Sequence, residues 1–185
     1  SMGIIIYMML NHYYEYAYVQ AHVDDELPLE YVLSAFWEGQ EGSFLLWLFW
    51  NGVFGTYALF RKDEWESGVG IVLNLCQIII LSMILGIYVG FGESYVKIGS
   101  SPFVLLRDTM DAPIFANQNY LQLIEGQGLN ELLQDYWNVI HPPVTFAGFS
   151  TMIFPFAYGV ASLFMKDYTG WLKPARNWAL FGGAV

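Results

Sequence analysis

The chain has 185 residues, 56% of them apolar and only 13% charged, with a formal net charge of −10. Soluble proteins average about 25% charged residues, so an ordinary soluble domain is excluded, and no basic cluster is present that would bind nucleic acid. The single cysteine, Cys76, excludes an internal disulfide and a cysteine zinc cluster.

In chain order, Gly3 to Leu10 is apolar, and Asn11 and His12 follow at once. That is about half the length needed to cross a bilayer. With no basic stretch before it and no small-residue cleavage site, it does not read as a signal peptide. The expectation is a partial membrane helix within residues 1–20, its beginning missing, with His12 a polar side chain near the interface. The acidic stretch "AHVDDE" follows, and His22 is expected to be solvated there.

Three long runs carry no charge at all: 19 residues from Gly42 to Phe60, 26 from Ser67 to Gly92, and 24 from Pro142 to Met165. Runs of about 18 or more apolar residues read as membrane-spanning helices. They predict helices over 42–60, 67–92 and 142–165, and residues 178–185 start one more. Between the second and third lies the segment 93–141, whose earlier part, 93–128, has Gly, Ser, Pro and Asn spread through it and reads as an ordered loop. Its end, "GLNELLQDYWNVI", spaces Leu129, Leu132, Leu133, Tyr136, Trp137 and Ile140 along one helical face. This predicts an amphipathic helix over 129–140 lying flat on the membrane surface. The expected fold is an all-α integral membrane protein: a polytopic transmembrane helix bundle with an amphipathic helix on its outer surface, and a piece of a larger protein.

Charge sets the orientation. Arg61 and Lys62 lie in the 61–66 loop, and Lys166, Lys173 and Arg176 in the 166–177 loop, which together hold five of the seven basic residues. Short loops rich in Lys and Arg face the cytoplasm. Residues 20–41 and 93–141 are then external.

Two motifs meet at that outer face. "WEGQEG" comprises Trp37, Glu38, Gly39, Gln40, Glu41 and Gly42 at the mouth of the 42–60 helix. Anions there are favoured by the helix dipole, and glycines let a backbone or ligand approach closely. The same residues also fit a capped helix start with Trp37 and Trp47 at the interface. "HPP" comprises His141, Pro142 and Pro143. Proline suits a first helical turn, so His141 is expected just outside the 142–165 helix. It could bind a metal or haem iron, or be satisfied by water. Phosphate loops, HExxH and GxSxG are absent. The three long runs lack the charge pairs a transporter would need.

These residues carry a resemblance. "ELPLEYVLSAFWEGQEGSFLLW" and "GLNELLQDYWNVIHPPVTFAGF", with "SSPF" between them and "WLKPARNWALFGGAV" after, resemble in collinear order the blocks of the CcmF-type family of cytochrome c maturation. A nitrite-reductase assembly branch shares both main blocks. The resemblance implies a multi-pass protein of the bacterial inner membrane that receives haem b from a haem chaperone at the outer face. Working with other maturation subunits, it attaches the haem vinyls to the CxxCH thiols of an apocytochrome c. It implies haem lyase activity for the full-length protein, or else a haem carrier or assembly scaffold without attachment chemistry. His141 matches the family's external axial haem ligand. The tryptophan-rich haem segment and the remaining haem-ligand histidines are expected outside this chain. No catalytic step is assigned to "WEGQEG", whose glutamates are candidate proton acceptors.

Overall fold

The computed structural model describes residues 1–61, 64–91 and 94–185, with the backbone alone at 91 and 94. Its elements are α1 (Met2–Leu10), α2 (Ala17–His22), α3 (Leu29–Glu38), α4 (Gln40–Phe60), α5 (Glu66–Ser82), β1 (Ile87–Phe91), β2 (Ser94–Ile98), α6 (Tyr136–Met165) and α7 (Leu172–Ala184). The chain divides into two compact units, residues 1–45 with 83–141 and residues 46–82 with 142–185.

In the first unit, α1 packs on α2 and α3. Its buried side chains include Ile5, Met9, Val19, Val32 and Phe36. The segment predicted as one partial helix over 1–20 is therefore two short helices. The chain turns between them at His12, whose φ is +53°. The acidic stretch after α2 leads into α3, a helix within the 20–41 segment expected to be external. The 93–141 segment is stitched onto this helical layer by backbone bonds: Ala17 N–H to Val104 O at 2.9 Å, Leu106 N–H to Glu15 O at 2.7 Å, and Gln127 N–H to Gln20 O at 2.7 Å. Buried backbone groups need such partners; the segment is not loop throughout, because Ser94–Ile98 is the strand β2 and Tyr136 onward belongs to α6.

The helix expected over 67–92 ends at Ser82. Gly86 and Gly99, at φ +62° and +74°, flank an antiparallel hairpin in which Ile87 pairs with Ile98 and Val89 with Val96. Ser100 N–H closes its neck on Met83 O at 3.0 Å. Aromatic and β-branched residues favour strands, and an uncharged run cannot distinguish a helix from a strand by hydropathy alone. Lys62, in the predicted 61–66 loop, and the junction at 92 and 93 lie outside the described residues.

The second unit packs α5, α6 and α7 through Trp65, Val69, Val72, Phe154, Ala157 and Ala161. A Cβ built on Gly68 would come within 2.9 Å of the Ala161 methyl. Small residues of this kind let apolar helices approach closely. Phe154 stacks on Trp178 at 3.9 Å between centroids and 10° between planes. The hydroxyls of Thr151 and Ser162 donate to Gly148 O and Gly159 O of their own helix, both at 2.7 Å, so these polar residues need no partner outside it. Trp178 lies well inside α7, which starts at Leu172, six residues before the predicted 178–185 helix.

Among the described residues two helices are long and apolar enough to cross a membrane, α4 with 21 residues and α6 with 30. At a rise of 1.5 Å per residue they measure about 32 and 45 Å. The third expected span is shorter, because α5 has 17 residues, about 26 Å.

Candidate functional site

"WEGQEG" spans a break between two helices. α3 ends at Glu38, Gly39 is extended with φ −78° and ψ 158°, and α4 begins at Gln40. At such a break the last carbonyls of one helix and the first N–H groups of the next lack intrahelical partners. One side chain from α2 serves both. The Tyr18 hydroxyl donates to Phe36 O at 2.8 Å and accepts the Gly42 N–H at 3.2 Å. The Ser43 hydroxyl donates to Trp37 O at 2.6 Å. Burial, reinforced by the charges of Glu41 and Glu38, raises the Tyr18 phenol well above its ordinary pKa, so it retains the proton it donates.

The glycines make this clip possible. A Cβ on Gly39 would lie 2.7 Å from His22 Nε2 and Tyr18 Oη, and one on Gly42 would overlap the Phe36 carbonyl oxygen. The close approach expected at these glycines is thus made by α2 of the same chain. Glu38 does not lie in the first turn of α4. It is the last residue of α3, where the dipole disfavours an anion, and His22 Nε2 meets its Oε2 at 2.8 Å. His22 Nδ1 lies 2.7 Å from Tyr18 O, a carbonyl that can only accept, so Nδ1 carries a proton. His22 is not solvated as expected: its side chain is 15% exposed and its ring lies against Tyr18 at 4.3 Å. Glu41 does lie in the first turn of α4, with the Ser100 hydroxyl donating to it. Gln40 is exposed.

The second motif lies inside a helix. Asp135 Oδ1 accepts the N–H groups of Trp137 at 2.7 Å and Asn138 at 3.1 Å. This cap starts α6 at Tyr136, six residues before Pro142. The amphipathic helix expected over 129–140 reduces to one 3-10 turn, Glu131–Leu133, closed by Asn130 Oδ1 on Leu132 N–H at 3.0 Å. His141 is therefore a helical residue in the second turn of α6, and the two prolines are interior to that helix. Proline has no N–H to give the carbonyl four residues before it. Pro142 frees Asn138 O, and Pro143 frees Val139 O. The Trp37 indole N–H takes Asn138 O at 3.0 Å. This bond ties "WEGQEG" to the turn that leads into "HPP", across 101 residues of sequence.

His141 is exposed. Trp137, one turn before it on the same face of α6, is 71% exposed, and Val144, nearly one turn after it, is also exposed. Among the described residues no group of three His, Cys, Asp or Glu side chains is placed to hold a bare metal ion. Tyr18 was not singled out from sequence, His22 was expected to be solvated, Ser100 entered only within "SSPF", and Asn138 was not singled out. The only signal for the first two was their spacing of four residues on one helix.

Residues 37–181 match the family model described as cytochrome c assembly protein. The chain is 29% identical over 182 residues to the cytochrome c-type biogenesis protein CcmF of Haemophilus influenzae, covering 97% of this chain and 25% of that protein. It is 28% identical to CcmF of Pseudomonas aeruginosa, covering 100% of this chain and 25% of the relative. To the probable cytochrome c-type biogenesis protein NrfE of Escherichia coli it is 25% identical, covering 98% and 29%. The chain thus spans about a quarter of the length of the curated relatives it matches. No solved structure matches it.

Proposed function

The chain belongs to the cytochrome c assembly protein family, and from that membership we propose that it is the part of a cytochrome c maturation protein that meets haem at the outer face of the bacterial inner membrane. With α4 and α6 as spans, it is a membrane protein. Arg61 and Lys166, between helices, and Lys173 and Arg176, in the first turns of α7, are exposed, which supports a cytoplasmic side for this end of the helices. Residues 20–41 and 93–141 are then external.

Haem b is the substrate, handed over by a haem chaperone, and His141 supplies an axial nitrogen to its iron. The observation that carries this reading is the exposed His141 beside exposed Trp137, on a turn tied to "WEGQEG". In the full-length protein, acting with other maturation subunits, each apocytochrome CxxCH thiol adds across a haem vinyl. The carbon–sulfur bond forms at the α carbon, the thiol proton ends on the β carbon, and no electrons are exchanged. Glu38 and Glu41 are engaged by His22 and Ser100, so their part is structural. The alternative reading is a haem carrier or assembly scaffold. Purified full-length protein that attaches haem to a CxxCH peptide excludes it.

Replacing His141 with Ala in the full-length protein leaves the Asp135 cap of α6 in place. The variant accumulates normally, and c-type cytochromes fail to mature. Exogenous imidazole restores part of the activity, and does so at least as well for His141→Gly. Normal maturation by the Ala variant would refute the ligand assignment.

A further inference from the structure

We infer that Trp37 is a positioning residue for His141: its indole N–H holds in place the one helical turn that carries the imidazole. The inference rests on the reading of His141 as a haem ligand.

In an unbroken helix the carbonyls of residues 138 and 139 would bond the N–H groups of residues 142 and 143. Both partners here are proline, so two consecutive rungs are missing immediately beside His141. These two gaps fall where the turn from Tyr136 to His141 joins the rest of α6. That turn is held from outside. Trp37 Nε1 donates to Asn138 O at 3.0 Å, three residues and about 4.5 Å along the axis from His141.

Trp37 is itself firmly seated. Its own carbonyl accepts the Ser43 hydroxyl, and the preceding carbonyl, Phe36 O, accepts the buried Tyr18 hydroxyl. Gly39 and Gly42 let α2 close over the break that ends α3. Each joint is a hydrogen bond between elements of the same compact unit. A ligating side chain is as accurate as the shell that supports it. "WEGQEG" supplies such a shell, which gives the motif a function without requiring it to touch substrate.

The test uses three full-length variants: Trp37→Phe, His141→Ala and the double variant. Phenylalanine keeps an aromatic ring against the chain and removes only the N–H. Maturation of c-type cytochromes is measured per molecule of accumulated protein, with and without exogenous imidazole, so lowered accumulation does not obscure the result. A misplacement of about 1 Å in a reactive group costs on the order of a hundredfold. Trp37→Phe should lower the per-molecule rate roughly ten- to a hundredfold, imidazole should raise it again, and the double variant should behave as His141→Ala alone. A purely structural role for Trp37 would give a loss that imidazole does not relieve and that adds to the His141 loss, and would overturn the inference. So would full activity in Trp37→Phe while His141→Ala is inactive. If His141→Ala itself is fully active, the ligand reading fails, and the inference fails with it.

Discussion

Tyr18 offers the clearest view of how single residues build this site. Its hydroxyl joins the end of α3 to the start of α4. Tyr18→Phe leaves one buried carbonyl and one buried N–H unpaired, at a cost of about 1–3 kcal/mol, measurable as lowered thermal stability of the detergent-solubilised full-length protein. The pH dependence has a definite sign. Burial raises the folded-state pKa above the ordinary value of 10.0, so the contribution is complete below about pH 10 and is lost as pH rises beyond it. The gap between wild type and Tyr18→Phe should narrow in that range. At this scale the sequence was partly legible. Glycine, proline and an exposed histidine announce themselves because their chemistry is unusual wherever they occur. Tyr18 and His22 did not, because an aromatic residue on a short helix looks the same whether it faces solvent or a helix break. The prolines of "HPP" were read as a helix start, where proline is favoured. Asp135 starts the helix earlier, and the prolines act by withholding two donors.

Helices and strands were legible from what bounds them more than from their apolar content. The 42–60 and 142–165 runs emerged as α4 and α6 with boundaries moved to Gln40 and Tyr136. Both shifts follow from local groups, the extended Gly39 before α4 and the Asp135 cap before α6. The 67–92 run was misread past Ser82 because Gly86, with its positive φ, was hidden among apolar neighbours that also suit strands. The cap gives a prediction of its own. Asp135→Ala removes the acceptor for Trp137 and Asn138, costs about 1 kcal/mol, and should speed amide hydrogen exchange at residues 136–139 while leaving α7 unchanged. Exchange that stays slow there would mean that the Trp37 bond alone suffices to keep the turn closed.

Across the whole molecule, charge and architecture divide together. The first unit carries 13 of the 17 acidic side chains and two of the seven basic ones; the second carries four and five. This distribution was readable from the sequence, because it depends on which residues stand in which segment rather than on packing. It leads to a direct topological check. In a Cys76→Ser background, Gln118→Cys should label with an impermeant thiol reagent on intact cells and Glu64→Cys should not; the opposite pattern would invert the orientation. What no local window could reveal is the bond from Trp37 to Asn138, because its ends are 101 residues apart. A ribosome adds roughly 5–20 residues each second. The indole is therefore made several seconds before the carbonyl it will hold, and α4, α5 and the hairpin are all synthesised in between. The bond cannot form until those elements have been made, and a polypeptide halted before residue 138 would enter the membrane with the turn that carries His141 still unmade.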